Sequence, residues 1–406
     1  MGFPKKTDLN INSILFPLLV TAFSVAAVFK LTNKILIVEL VILVVLMAAH
    51  KKLSIGYQDV LLFLSSFLCY FVTSGLRTGL LVAVCFFSAF QLGKMTIQNG
   101  GTDEYGSYPV IVPATALFIV GLINYSYLLR DPSIIQEHKD RWPDWSGQVF
   151  TRTGHDSFLV FMAALLVYFI LMLIRKKKWA IIGIIASVTA FTLSFIGRGR
   201  EPFIVCFCTM VVVLAGIFIE KGLYKKRAFR IALVTFGVIV VVLVVSFAAN
   251  AFGLRDYYEG SFLSGGGGIL HNDRFYMMYY AAVDAIAHPW GNNTDALMFG
   301  DEEYRFAHNS WIECARSGGL ISFVLMVAFT ISNLIDMVYC WAKSRNVHKY
   351  ALIAGFIGIT LLCAVEPIYP GNNEFWSIEV YLAGLLCGAC DKLQGAGKEI
   401  RVSFRR

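Results

Sequence analysis

The chain alternates long apolar runs with short polar breaks. Twelve runs reach or approach the roughly 20 residues that cross hydrocarbon as a helix: about 11–29, 34–50, 57–74, 78–93, 109–128, 153–174, 180–196, 203–220, 229–249, 309–335, 350–366 and 375–391. Three breaks are longer than the rest, about 94–108, 129–152 and 250–308. The pattern predicts an all-α polytopic membrane protein of about 12 transmembrane helices. No separate soluble domain is expected, so 1–406 reads as one integral membrane domain. The stretch 250–308, between helices 9 and 10, reads as a large loop containing short helices.

Charge orients this pattern. Arg175-Lys176-Lys177-Lys178 and the segment Lys221 through Arg227 are basic loops, and such loops stay on the cytoplasmic side. With twelve crossings both termini are then cytoplasmic, which suits the basic Met1–Lys6 start and Arg401–Arg406 tail. The start lacks the short apolar region and small-residue cleavage site of a removable leader, so the first span is expected to stay. On this topology 22 of the 35 Lys and Arg residues fall inside, 15 of them Lys. The 13 outside include only Lys30, Lys34 and Lys139, leaving 10 Arg. Lysine inside is an orientation signal; arginine outside needs another reason, because Arg is the preferred bidentate partner of phosphate and carboxylate.

Composition agrees with the pattern. Hydrophobic residues make up 57% and charged ones 15%, against about a quarter charged in soluble proteins. The net charge of +8 follows topology and does not point to nucleic acid. The nine cysteines fall in spans or at their ends, so no disulfide framework is expected. Cys387-x-x-Cys390 has no second ligand pair nearby and reads as buried thiols.

Polar chemistry gathers between residues 250 and 316. Ser264 and Gly265–Gly268 read as a hinge or lid. Asn272 or Asp273 can cap a helix running through Ala287, where Pro289 blocks continuation. Arg274, Met278, Ala281, Ala285 and His288 lie broadly along one face of it, and the helix suits the outer interface. Fourteen residues of helix put Arg274 and His288 about 21 Å apart, too far to touch one reacting centre. Arg274 is placed to grip an anion; His288-Pro289-Trp290-Gly291 reads as a turn that redirects the chain. In the loop 129–152, Trp142 and Trp145 read as interfacial anchors, or else as a surface for stacking sugars.

His308 heads the tenth span. The positive end of the helix dipole there favours the neutral imidazole that a general base needs; the bland alternative is a solvated capping histidine. Asn309 beside it could orient a hydroxyl, and Glu313 and Arg316, one to two turns on, could neutralise each other. Gly197-Arg198-Gly199-Arg200-Glu201-Pro202 lies where the seventh span meets the outer surface. Two guanidinium forks beside open backbone amides would make an anion site of a kind that suits diphosphate; the alternative is snorkelling arginine partnered by Glu201. No outer DxD pair or His–carboxylate cluster indicates a metal, and no cofactor is implied.

Nucleoside triphosphates are absent outside the cytoplasmic membrane. An outer-facing transferase therefore needs a donor already activated when it crosses the bilayer, and a polyprenyl-diphosphate-linked sugar meets that need. Arginines would stabilise the leaving diphosphate while a histidine deprotonates the acceptor hydroxyl.

At these residues the chain resembles the O-antigen polymerase and O-antigen ligase superfamily, membrane glycosyltransferases of the GT-C type. Three elements carry the resemblance: Ser194-Phe-Ile-Gly-Arg198-Gly; the Arg after the glycine-rich stretch with His288-Pro-x-Gly291; and Ala307-His308-Asn309-Ser-Trp-Ile-Glu313-x-x-Arg-Ser-Gly318-Gly319. Their order, spacing and expected side agree from about 190 to 335. The second arginine, Arg200, and Trp290-Gly291-Asn292-Asn293 depart from the family's pattern. The resemblance implies a GT-C-like fold in a bacterial inner membrane and metal-independent, inverting transfer from an undecaprenyl-diphosphate donor. His308 would be the base, with Arg198, Arg200 and Arg274 on the diphosphate and Asn309, Glu313, Arg316 and His288 around the acceptor or in support. It implies surface-polysaccharide polymerase activity first and ligase activity second, with membrane lipids, a chain-length regulator and a flippase as partners. A twelve-span transporter or flippase is the rival from another class. Such proteins carry mid-membrane charges and internal repeats, whereas here Glu39 is the main central charge. A structural scaffold is the remaining reading.

Overall fold

A computed structural model describes residues 12–28, 34–50, 52–100, 107–131, 133, 141–220, 273–291, 297–299, 302–304, 307–366, 369, 373–395 and 400–403. Its helices are α1 (Asn12–Val28), α2 (Lys34–His50), α3 (Tyr57–Ser74), α4 (Leu76–Gly100), α5 (Tyr108–Arg130), α6 (Arg152–Ala164) and α7 (Leu166–Ile174). They continue as α8 (Ala180–Ile196), α9 (Glu201–Glu220), α10 (Asp273–Ala287), α11 (Ser310–Lys343), α12 (Lys349–Val365) and α13 (Asn373–Gln394). The expected ninth run, 229–249, lies outside the described residues, as do Ser264 and Gly265–Gly268.

The protein is mainly helical and of membrane character. Among the described residues six helices are long and apolar enough to cross a bilayer: Tyr57–Ser74, Leu76–Gln98, Tyr108–Arg130, Arg152–Ile174, Glu201–Phe218 and Ser310–Lys343. Four shorter apolar helices accompany them, Ile14–Val28, Ile37–Ala48, Ala180–Ile196 and Lys349–Val365. The sixth expected run is broken between α6 and α7 at Leu165, whose amide reaches both Phe161 O and Met162 O at 3.3 Å. Lipid-like faces stay apolar and exposed, as at Val44, Ile182, Val324 and Ile335.

Small residues bring backbones together. An added Cβ on Gly93 of α4 would lie 2.1 Å from Tyr381 O of α13, and one on Gly384 would lie 2.1 Å from Phe90 O. Helices without a hydrophobic drive between them associate through such close approach.

Two expectations change. The break 94–108 is shorter than expected, because α4 continues to Gly100 and takes Lys94 with it. Lys94 is 1% exposed, which is tolerable because its Nζ stands 3.8 Å from Asp59, 3.5 Å from Asp391 and 3.3 Å from Ser54 O. The loop 129–152 contains a ribbon of β2 (Arg141–Pro143) paired antiparallel with β3 (Val149–Thr151). Trp142 there is neither an interfacial anchor nor a free stacking surface: it is 2% exposed and stacks on His155 with centroids 4.2 Å apart. Trp145 is half-buried, its amide donating to Asn124 Oδ1 at 3.1 Å. Two more short ribbons pair β1 (Lys52–Ile55) with β6 (Ile400–Ser403), and β4 (Leu297–Phe299) with β5 (Glu302–Tyr304). Glu302 and Glu303 thus lie in a strand.

Candidate functional site

The start of α11 and the end of α12 are stitched together. Asn309 caps α11: its Oδ1 accepts from Trp311 N at 3.1 Å and Ile312 N at 3.0 Å, supplying two of the amides a helix start leaves unpaired. Its amide nitrogen donates to Ala364 O at 3.1 Å. Ser310 Oγ donates to Glu366 O at 3.0 Å and accepts from Tyr369 N at 3.2 Å. Tyr369 is buried between these segments, and burial pushes its hydroxyl well above the ordinary tyrosine range, so it stays neutral. With both ends of its carboxamide engaged, Asn309 acts as a structural clamp in support of its neighbour.

That neighbour is His308, held at φ +48°. Left-handed backbone costs a non-glycine residue of order 1–3 kcal/mol and survives only where the surroundings over-determine it. The capped helix on one side and the tie to α12 on the other do so here. His308 Nδ1 is buried and lies 3.6 Å from Glu366 Oε2, beyond hydrogen-bond length. The side chain as a whole is 28% exposed, so part of it is open to approach although Nδ1 is buried. A carboxylate beside one nitrogen of a partly exposed imidazole is an arrangement that a general base can use.

The arginine turn joins α8 to α9. Gly197 N, Arg198 N and Gly199 N donate to Leu193 O, Phe195 O and Ser194 O at 2.9, 3.0 and 2.7 Å. Arg198 takes φ +59° although glycines flank it. Both glycines are pressed against side chains: an added Cβ would lie 2.8 Å from Tyr125 Oη at Gly197 and 1.4 Å from Asp156 Oδ2 at Gly199. The chain therefore has glycine where bulk is forbidden, and the left-handed conformation falls on the arginine between. Arg198 and Arg200 are half-buried and Glu201 is buried. Asp156, in the first turns of α6, is fully buried; it accepts hydrogen bonds from Tyr125 Oη and, at 3.2 Å, from Ser194 Oγ.

The two arrangements share one end of the bundle, since Asp156 lies within electrostatic reach of both Arg152 and Glu366. Only three described non-glycine residues have positive φ: Arg198, His308 and Lys176. Lys176 belongs to the basic 175–178 turn; the other two were singled out for chemistry from sequence alone.

A third cluster braces α10 against α11. Arg316 is 1% exposed; its Nε donates to Asp284 Oδ2 at 3.1 Å, and a terminal nitrogen reaches both Glu313 oxygens at 3.4 Å. Glu313 Oε2 also accepts from Ala307 N at 3.0 Å, which fixes the residue before His308. The mutual neutralisation of Glu313 and Arg316 is present, with Asp284 as a third member. His288, 57% exposed, sets Nδ1 3.2 Å from Asp284 Oδ1. Its turn docks into a kink of α11: Gly319 adopts φ +82°, ψ 169°, and Leu320 N donates to Pro289 O at 2.9 Å. The redirecting role of His288-Pro289-Trp290-Gly291 is visible in that contact. Arg274 is the second residue of α10; the described side chains of that helix begin at Tyr276.

Three participants were missed in the sequence. Glu366 ends an apolar run just before Pro367, Asp156 opens one, and Asp284 is an acid far along a helix of mainly aromatic and small residues. The available signal was an acid at or beside a span, but nothing in sequence tells which basic residue it will meet. Among the described residues no group of three or more His, Cys, Asp or Glu side chains is arranged to hold a metal ion. No family model matches this chain, and no curated protein sequence matches it.

Proposed function

We propose that this protein is a polyprenyl-diphosphate-dependent glycosyltransferase that polymerises surface polysaccharide on the outer face of the bacterial cytoplasmic membrane. In this reading twelve helices cross the bilayer in a GT-C-like arrangement, and both termini are cytoplasmic. The end carrying His308, Glu366 and Arg198 faces outward. The observation that carries the reading is the left-handed backbone of Arg198 and His308 at one end of the bundle, each held there by buried neighbours. Strain of this kind collects where a side chain must be aimed.

His308 takes the proton from an acceptor hydroxyl through Nε2 while Glu366 orients the ring. The freed oxygen bonds to the donor's anomeric carbon as that carbon's bond to the diphosphate oxygen breaks, inverting the centre. The electron pair stays with the polyprenyl diphosphate, whose added charge is met by Arg198, with Arg200 and Arg274 as further cations. Asn309, Glu313, Arg316 and His288 support the frame and need not touch sugar.

The test supplies purified protein with a polyprenyl-diphosphate-linked oligosaccharide repeat. A ladder of lengthening lipid-linked product from wild type, absent with His308→Ala, is expected. A single transfer onto an unrelated acceptor would replace polymerase by ligase. Flux of the lipid-linked repeat across a liposome bilayer without any glycan product would replace both by a flippase.

A further inference from the structure

We propose that Asp156, acting with Tyr125, is a positioning residue that holds the Gly197–Arg200 turn in the one shape that presents Arg198 to a prenyl diphosphate. This rests on the reading of that turn as the diphosphate grip. Asp156 comes from α6 and Tyr125 from α5, far from the turn in sequence. Yet its carboxyl accepts from Tyr125 Oη on one oxygen and from Ser194 Oγ at 3.2 Å on the other.

The same oxygen that meets Ser194 fills the place of a side chain at Gly199, while Tyr125 Oη fills the place of one at Gly197. The Tyr125–Asp156 pair is thus a template against which both glycines lie flat. Between them the backbone of Arg198 is left no relaxed alternative: its amide is bonded to Phe195 O and the next amide to Ser194 O. Ser194 links the two systems, giving its carbonyl to Gly199 and its hydroxyl to Asp156. A fully buried acid spent on shaping a turn, rather than on meeting the ligand, accounts for an acid so close to an anion site.

Charge and shape predict opposite signs, which makes the inference testable. If Asp156 acted only through charge, removing it would tighten anion binding. If it positions Arg198, removing it weakens binding. The experiment titrates farnesyl diphosphate into the purified full-length protein and follows amide exchange across residues 194–201. The variants are Asp156→Asn, Tyr125→Phe, Arg198→Gln and the Asp156→Asn/Arg198→Gln pair; Tyr125→Phe keeps the question open to test should Asp156→Asn fold poorly.

Loss of orientation costs roughly ten- to a hundredfold, so about tenfold weaker binding is expected in Asp156→Asn and Tyr125→Phe, with faster exchange at Gly199. In the Arg198→Gln background the added loss should be under about twofold, because the effect runs through that arginine. Tighter or unchanged binding, unchanged exchange, or an equal loss in the Arg198→Gln background overturns the proposal. If wild type and Arg198→Gln bind farnesyl diphosphate alike while exchange still responds to Asp156→Asn, the diphosphate reading has failed instead, and the proposal's ligand falls with it.

Discussion

His308 Nδ1 stands 3.6 Å from Glu366 Oε2, across a junction whose two sides are tied together by the neighbouring residues. Asn309 and Ser310, directly after the histidine, bond to Ala364 O of α12 and to the carbonyl of Glu366 just beyond it. These ties hold the two residues side by side at the junction of α11 and α12, whichever rotamers their side chains take. A small movement closes 3.6 Å to a hydrogen bond when the imidazole gains a proton and becomes cationic. His308→Ala should therefore cost glycan transfer roughly 10²- to 10⁴-fold. Glu366→Gln, which keeps the shape but weakens orientation, should cost about tenfold, mainly in kcat. Steady-state kinetics on a lipid-linked repeat checks both; equal rates for wild type and Glu366→Gln would remove the carboxylate from the mechanism.

Arg316 is a stability residue. It is 1% exposed and bonded to Asp284 and Glu313. Removing one partner of a buried ion cluster leaves uncompensated charge, at about 3–5 kcal/mol. Arg316→Met should sharply lower the thermal midpoint of the detergent-solubilised protein, and adding Glu313→Gln should recover part of it. A midpoint unchanged in Arg316→Met would show that the cluster contributes little.

The kink of α11 gives an internally controlled comparison. Gly319 and Gly395 both have positive φ, +82° and +77°, but among the described residues only Gly319 of the two faces other atoms, with Pro289 O 2.8 Å from an added Cβ. Alanine at Gly395 should cost only the backbone term, about 1–2 kcal/mol. At Gly319 the same change must also displace the His288–Gly291 turn, so folded yield and thermal midpoint should fall further. Equal effects at the two positions would deny the docking of that turn.

Orientation can be read with thiol labels. Trp290 is 77% exposed and Lys177 lies in an exposed turn, while eight of the nine native cysteines are buried. Trp290→Cys should react with a membrane-impermeant maleimide in intact cells. Lys177→Cys should react only after the membrane is permeabilised. The reverse pattern would turn the proposed site toward the cytosol.

The site was legible in part, and unevenly. Arg198, His308 and the Glu313–Arg316 pair follow from local features: glycines around an arginine, a histidine at the head of an apolar run, two charges at helical spacing. The helix Asp273–Ala287 was visible for the same reason, because capping and Pro289 act within a few residues. Asp156, Tyr125 and Asp284 were not legible as site residues. Each matters only through a side chain delivered by another helix, and an acid beside an apolar run looks alike whether it orients a turn, pairs with lysine or meets water. Trp142 was misjudged for this reason, since its stacking partner His155 lies across a ribbon that hydropathy does not reveal. Lys94 was too, because the acids that let it be buried sit on α3 and α13.

By itself the sequence determined the class of protein: where helices run, how apolar they are, and which short motifs are rich in arginine and histidine. Those properties are local, set by hydropathy, propensity and capping within a dozen residues. Only tertiary structure decided which acid meets which base, that Glu366 backs His308, that Asp156 shapes the turn of Arg198, and that both lie at one end of the bundle. Such pairings depend on how helices distant in the chain pack and in what register, and that is governed by the fit of small residues such as Gly93 and Gly384 against a partner backbone, a property no single segment carries.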